Sequence, residues 1–142
     1  MDEIVKELKK LIDIAYDQDE IPIAAVVVKN NQIIGRGYNQ RLQTNDVTSH
    51  AEINAIKEAA EKLGDWRLND CDIYVTLEPC NMCKETIKES RIRNAYYFVP
   101  KSSEKKGFNK TNISLLKNEE NNEFINDYKI KLNSFFKLKC NR

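Results

Sequence analysis

Long apolar runs, an excess of charge of one sign, and histidine are all scarce in this sequence. No apolar run approaches the roughly 18 residues that a membrane-spanning helix needs, so no such helix is expected. The net charge of +1 argues against a strongly basic surface for nucleic acid, and any such contact must come from local clusters. The segment Met1-Asp2-Glu3 lacks the basic and apolar regions of a secretory signal. We therefore expect a cytoplasmic protein.

The length and composition indicate one ordinary globular domain. The 142 residues are enough for a sizeable core and too few for two comfortable domains, so we predict a single domain over 1–142. Apolar residues make up 41% of the chain and charged residues 32%. In the cytoplasm, the four cysteines are expected to be thiols or metal ligands and not disulfides.

Helical and β-strand patterns alternate along the chain. Apolar residues at helical spacing predict helices over 2–17, 50–63 and 124–136, and one that begins at Pro79. Runs of β-branched and aromatic residues predict strands over 21–29, 32–38, 73–77 and 95–99. The polar segments 39–45 and 101–110 are predicted as loops, and 112–117 as a short strand or one helical turn. This order favours a three-layer α/β fold, with helices covering a sheet.

His50, Cys80 and Cys83 are the candidate metal ligands. His50 is the only histidine and opens a predicted helix, while Cys80 and Cys83 stand three residues apart at the start of another. One imidazole and two thiolates make three zinc ligands, one fewer than a closed structural site needs, which leaves a place for water. Zinc lowers the pKa of bound water, and Glu52 can carry protons between that water and a substrate. The pattern favours zinc-dependent hydrolysis.

The same residues also have purely structural interpretations. A Cys-x-x-Cys pair alone is equally typical of a redox site or of half a structural zinc site, with Cys71 or Cys140 as a further ligand. We expect instead that Cys71 packs as a small apolar side chain and that Cys140 lies in a frayed terminus. Ser49 and Glu52 match a capping box, in which the carboxylate bonds the Ser49 amide. The combination of His-x-Glu with Pro-Cys-x-x-Cys favours proton transfer by Glu52.

Several short segments match the pattern of a known enzyme family. They are Glu20-Ile21-Pro22-Ile23, His50-Ala51-Glu52, Trp66-Arg67-Leu68, Tyr74 to Cys83, and Ser90-Arg91-Ile92. The second and fourth contain the H-x-E and P-C-x-x-C signature of zinc deaminases. Together they resemble the bacterial tRNA-specific adenosine deaminases of the cytidine and deoxycytidylate deaminase superfamily. The similarity covers about residues 4–98, and Ser134-Phe135-Phe136 extends it.

The resemblance implies a fold, an activity and a set of site residues. The fold would be cytidine-deaminase-like, with a mixed sheet of four to five strands and helices on both sides. The protein would be a homodimer that converts adenosine 34, at the wobble position of an arginine tRNA, to inosine and releases ammonia. His50, Cys80 and Cys83 would hold one zinc ion per subunit, and Glu52 would carry protons. Asn39 would bond the flipped-out base.

Local basic residues are the expected contacts to the anticodon loop, namely Arg41, Arg91, Arg93, Lys101, Lys105 and Lys106. The segment that holds the last three departs from the family pattern. Lys101 stands where an aspartate is usual, or Ser103 takes that place if two residues are inserted. The stretch before the closing helix is also short, so a fifth strand is expected to be stunted or missing.

These departures keep other functions open. One alternative is a zinc-dependent deaminase of a free base or nucleoside, such as guanine, cytosine or cytidine. Another is a zinc-stabilised RNA-binding module without catalysis. The presence of Glu52 beside an open zinc position argues against the second alternative, because a structural site does not need it.

Overall fold

Five strands form one mixed sheet with helices on both faces. The structure is a computed structural model, and it describes residues 1–101, 112–116 and 119–139. Its elements in chain order are α1 (Asp2–Asp17), β1 (Ala24–Lys29), β2 (Gln32–Tyr38), α2 (Arg41–Thr44), α3 (Ala51–Leu63), β3 (Cys71–Leu77), α4 (Asn81–Glu89), β4 (Asn94–Val99), β5 (Ile113–Leu115), a 3-10 turn (Glu119–Asn121) and α5 (Asn122–Leu138). The α/β class with helices on both sides of the sheet is confirmed.

The strand order is β2-β1-β3-β4-β5. Strand β1 is antiparallel to both β2 and β3, whereas β3, β4 and β5 run parallel to one another. The register pairs Ala24 with Tyr38 and Leu77 with Val99. The ends of β2, β3 and β4 therefore meet the start of β1 at one edge of the sheet, which we call the carboxyl edge. Open α/β sheets bind ligands beyond the carboxyl ends of their parallel strands.

Most of the predicted elements are present, and their boundaries differ in informative ways. Helix α1 and strand β2 have the predicted bounds, and the fifth strand exists with only three residues. Segment 39–45 was predicted as a loop but contains the short helix α2. Pro79 precedes α4 instead of filling its first turn, because Cys80 is the N-cap. His50 is likewise the N-cap of α3, in place of the predicted Ser49.

Helix α3 lies directly on strand β2 because the facing residues are small. Ala51, Ala55 and Ala59 repeat at every fourth position of α3 and are fully buried. A Cβ atom added at Gly37 would overlap the carbonyl oxygen of Ala51, and one at Gly35 would overlap that of Ala55. The backbones of helix and strand are therefore in contact, and this contact fixes the start of α3.

Large side chains fill the opposite face of the sheet, between the strands and helices α1 and α5. Phe98 and Phe124 pack edge to face with 5.1 Å between ring centroids. Tyr128 on α5 is hydrogen-bonded to Thr76 Oγ1 at 3.0 Å, and that oxygen accepts the Ala24 amide at 3.1 Å. Within the described ranges, none of the helices is both long and apolar enough to cross a membrane.

Candidate metal centre and active site

His50, Cys80 and Cys83 come together at the carboxyl edge. Their ligand atoms all lie within 4.8 Å of one another, and these three form the one such group among the residues described. His50 Nδ1 is 3.7 Å from Cys80 Sγ and 3.4 Å from Cys83 Sγ. Donor atoms around a tetrahedral zinc ion, at about 2.0–2.3 Å from it, are separated by roughly 3.5–3.8 Å. The donor set and its spacing therefore fit zinc.

The two helix starts explain why these side chains meet. His50 and Cys80 are the N-caps of α3 and α4, both with extended backbone, and neither makes a side-chain capping hydrogen bond. Their side chains are therefore free to face each other, and Cys83, in the first turn of α4, joins them. A helix N-terminus also stabilises negative charge, which favours the thiolate form of a cysteine placed there.

The pKa values of the two thiols shift in opposite directions. A hydrogen bond with Cys83 lowers the pKa of Cys80 well below its usual value, and nearby His50 and Lys101 act in the same direction. The hydrogen bond with Cys80, together with burial, raises the pKa of Cys83. Because the pKa of Cys83 is raised, a metal that takes both cysteines as thiolates must displace the Cys83 proton.

Glu52 lies beside the cluster and outside its set of donor atoms. Its side chain is 4% exposed, and burial raises the pKa of its carboxyl group to about 7. The Glu52 backbone amide and the Cys83 thiol act against this rise and lower the pKa of the carboxyl group. The capping-box alternative is wrong, because the Ser49 amide donates to the backbone oxygen of Asp46 at 3.1 Å. Glu52 therefore faces the cluster and does not form a capping box with Ser49.

Asn39 follows β2 at the carboxyl edge and is 3% exposed. Its backbone amide donates to Ile23 O at 3.1 Å, which holds Asn39 beside the start of β1. Next to it, the Asn54 side-chain amide donates to Tyr38 O at 3.0 Å and to Ser49 Oγ at 3.1 Å. Asn54, on the second turn of α3, thus fixes both ends of the segment that links Asn39 to His50.

The structure separates the predicted basic residues into two groups. Arg41 and Lys101 lie at the carboxyl edge, the first on α2 and the second after β4. Arg91 and Arg93 lie at the opposite edge, where Arg91 stacks 5.4 Å from the Trp66 ring and Arg93 pairs with Asp72 at 3.1 Å. Lys105, Lys106 and the possible substitute Ser103 are outside the described residues.

Neither proposed fourth ligand closes the cluster in the part of the chain that the structure describes. Cys71 is the first residue of β3, at the opposite end of that strand from Cys80, and it is fully buried. Its expected packing as a small apolar side chain is confirmed. Cys140 lies outside the described residues.

Sequence reasoning missed two acidic residues close to these elements, the partly buried Glu78 and the buried Glu20. The Glu78 carboxylate contacts Lys84 Nζ at 3.4 Å and accepts the Lys101 amide at 3.1 Å, so it joins α4 to the chain after β4. Glu20 is 2% exposed and accepts two backbone amides of α2. Both residues stand in segments that carry the family resemblance, and this resemblance was the sequence feature that could have identified them.

Comparisons with known proteins agree with this geometry. Residues 1–139 match the MafB19-like deaminase family. A tRNA-specific adenosine deaminase of Agrobacterium fabrum is 51% identical over 83 residues, which are 58% of this chain and 55% of that protein. The chain thus spans about half the length of this curated relative.

Solved structures show the same fold. One, from a study of A-to-I editing by tRNA:A34 deaminases at the wobble position of transfer RNA, is 34% identical with a TM-score of 0.72, covering 80% of this chain and 97% of that one. A guanine deaminase of Bacillus subtilis is also 34% identical, with a TM-score of 0.65, over 70% of this chain and 64% of its own. The chain belongs to the MafB19-like deaminase family and is also similar to tRNA-specific adenosine deaminases.

Proposed function

We propose that this protein is a zinc-dependent deaminase that converts adenosine to inosine at the wobble position, A34, of a tRNA. The observation that carries the proposal is the three-donor cluster of His50, Cys80 and Cys83 beside the buried Glu52 carboxylate, which is not a member of the donor set. The relatives named for this activity support it. In the reaction, the bond between adenine C6 and its amino nitrogen breaks, a C6–O bond forms, and water becomes part of inosine and ammonia.

Each residue of the cluster has a distinct task in this proposal. His50 Nδ1 and the sulfurs of Cys80 and Cys83 would hold one zinc ion per subunit, which when bound lowers the pKa of water towards neutrality and supplies a nucleophile. Glu52 takes up a proton, delivers it to adenine N1 and assists the departing amine. Its buried carboxyl group is suited to this because burial raises its pKa to about 7.

The proposed substrate is a nucleotide in an RNA loop and not one in a duplex. Asn39 lies at the same edge and is the proposed contact to the flipped-out base. A loop nucleotide is partly unstacked, so extruding its base costs less than extruding one from a duplex. We propose that Arg41 and Lys101, which lie at this edge, contact the phosphates of an anticodon loop. An RNA contact by Arg91, at the opposite edge, stays a prediction.

One experiment tests the proposed substrate against its alternatives. The zinc-loaded protein is incubated with unmodified arginine tRNA, free guanine and free cytidine, and deaminated product is measured in each. We expect inosine only in the tRNA, and none from a stem-loop that carries cytidine at position 34. Product from guanine alone would overturn the tRNA substrate, and that outcome has support in the similarity to a guanine deaminase. No product from any would favour the RNA-binding module.

Salt dependence distinguishes the same possibilities without relying on turnover. Binding of tRNA through phosphate contacts should weaken steeply as salt rises, because cations are released on binding. Binding of a free base would be nearly indifferent to salt. The homodimer, the cytoplasmic location, the single domain over 1–142 and the preference for an arginine tRNA remain predictions from the sequence.

A further inference from the structure

Glu20 is a buried carboxylate with an unusual set of partners. It lies between α1 and β1 and is 2% exposed. Its Oε1 accepts the Leu42 amide at 3.1 Å, and its Oε2 accepts the Gln43 amide at 2.7 Å. Across the described ranges, no basic side chain pairs with it within 4.0 Å. Burying a carboxylate is costly, so these two hydrogen bonds are what offsets its loss of water.

Both amides belong to α2, which cannot hold its own shape. This helix has only four residues, and its N-cap, Gln40, makes no side-chain capping hydrogen bond. The first amides of a helix have no partner within the helix, and a helix of one turn is not stable by itself in water. Glu20 therefore caps α2 from a distant part of the chain.

The segment that contains α2 is tied to its surroundings at several further points. The Gln43 side chain donates to Gln18 O at 3.0 Å, and the Gln40 amide donates to Ser49 O at 2.9 Å. Together with the bond from Asn39 to Ile23 O, these contacts hold the chain from the end of β2 to the start of α3. Glu20 is the buried charged residue of this set, and it acts at the middle of the segment.

This segment forms one wall of an open cavity of about 430 Å³ at the carboxyl edge. Asn39 and Arg41 line it together with the half-exposed Leu42, and Phe135 of α5 lies on the other side. Glu20 also borders the cavity, but both of its carboxylate oxygens are engaged by α2. Its contribution to a ligand in this cavity is therefore made through the position of Asn39 and α2.

We infer that Glu20 is a positioning residue, whose carboxylate fixes α2 and so holds Asn39 and this wall in the geometry that accepts the RNA. The inference rests on the proposed function for its substrate. Glu20 is not a member of the donor cluster, so its loss should leave the metal centre intact. A displaced wall should weaken binding of the RNA more than the chemical step, because the donor cluster and Glu52 lie outside α2.

The test is the zinc-loaded Glu20→Gln variant, assayed on an anticodon stem-loop of arginine tRNA at a temperature where it is fully folded. The glutamine oxygen can accept one amide, but its NH2 group faces the second amide and cannot accept it. We expect KM for the stem-loop to rise about tenfold, equivalent to about 1.4 kcal/mol. The value of kcat should fall less than about threefold, equivalent to about 0.6 kcal/mol. Zinc content should stay at one per chain.

Glu58→Gln is the matched control, because Glu58 also accepts a backbone amide, that of Arg36 at 3.1 Å, but on the exposed surface of α3. Its KM should equal that of the parent protein. A Glu20→Gln KM within twofold of the parent, or an equal change in both variants, overturns the inference. Amide exchange measured by NMR adds a direct readout, since the Leu42 and Gln43 amides should exchange faster in Glu20→Gln alone.

A third variant keeps the inference falsifiable if Glu20→Gln does not fold. Gln43→Ala removes only the exposed bond from α2 to Gln18 O, and we expect it to raise KM about threefold, or roughly 0.6 kcal/mol. An unchanged KM in this folded variant would then count against the inference. A parent protein that is inactive on the stem-loop overturns the proposed function instead, while faster exchange of the two α2 amides would still establish the hold of Glu20 on α2.

Discussion

The two faces of the sheet are filled in different ways, and only one of them carries the candidate active site. On the α3 face, alanines lie against Gly35 and Gly37 so closely that the backbones of helix and strand touch. On the α1 and α5 face, rings and large aliphatic side chains fill the space, as with Phe98 and Phe124. The first kind of packing fixes a helix to within a fraction of an ångström, whereas the second can adjust its rotamers.

We call the α3 face the tight face and the α1 and α5 face the loose face. A displacement of α3 on the tight face would reach the candidate metal centre. Ala51 contacts Gly37 through its backbone, and it stands between the candidate ligand His50 and the proposed proton carrier Glu52. The loose face reaches the carboxyl edge by a longer route, through the hydrogen bond that Thr76 in β3 donates to Tyr128. We therefore expect substitutions on the tight face to reduce both stability and zinc binding. Substitutions on the loose face should reduce stability alone.

The largest effect is expected for Gly37→Ala. The added methyl group would overlap the Ala51 carbonyl oxygen and lie 2.5 Å from the Ala55 amide nitrogen, so α3 must move and carry His50 with it. We expect more than about 3 kcal/mol of destabilisation, above the usual range for overpacking, and loss of zinc from whatever folds. Chemical unfolding and zinc analysis check both.

Gly64→Ala is the control for this glycine. Gly64 ends α3 with a φ of 69° and has nothing within 4 Å of an added methyl group. Only backbone strain of about 1 kcal/mol is expected there, with full zinc content. A Gly37→Ala protein as stable and as zinc-rich as Gly64→Ala would show that the helix can shift freely, contrary to our account.

Phe124→Ala tests the loose face and should cost stability without affecting the metal. Phe124 is 5% exposed and packs against Phe98 and Tyr128. Loss of the ring should lower the free energy of unfolding by about 3–5 kcal/mol, measured by denaturant titration. At temperatures where the variant is folded, zinc content should remain at one per chain. Loss of zinc from the folded variant would mean that the two faces are not separable.

Lys84→Met should have a smaller effect, and a local one. It leaves the Glu78 carboxylate with the Lys101 amide as its remaining partner, in a setting where both side chains of the pair are little exposed. We expect about 1–3 kcal/mol of destabilisation and roughly tenfold weaker zinc binding, because Glu78 supports the turn before Cys80. Competition with a zinc chelator measures the affinity.

The matched control for Lys84 is Lys131→Met on the exposed pair with Asp13, whose atoms are 2.8 Å apart. Such surface pairs contribute about 0–1 kcal/mol, so neither stability nor zinc binding should change much. Equal effects of the two substitutions would remove the case for a special role of the Glu78 pair.

Local patterns predicted much of the fold and the candidate donor set. The spacing of Ile4, Leu8 and Leu11 gave the bounds of α1, since one apolar face of a helix repeats at that period. His-x-Glu and Cys-x-x-Cys gave the cluster, because each pair is close in sequence and on one helix start.

Contacts between distant segments could not be predicted in this way. The capping rule selected Ser49, but His50 is the N-cap because its backbone oxygen accepts the first helical amide, that of Asn54 at 3.0 Å, while the Ser49 oxygen accepts the Gln40 amide at 2.9 Å. Helix α2 was missed because its stability comes from Glu20, more than twenty residues earlier in the chain. The pairing of Glu78 with Lys84 likewise depends on how a strand end meets a helix.

Zinc content and turnover of Glu52→Gln, measured on the same preparation, test the central claim most directly. The substitution keeps the shape of a side chain that is 4% exposed and removes its ability to take up a proton. We predict one zinc per chain and a turnover lower by about 10²–10⁴-fold, the range that a positioned acid or base contributes. Loss of zinc would make Glu52 a ligand, and unchanged turnover would remove it from the chemistry; either result would contradict the account.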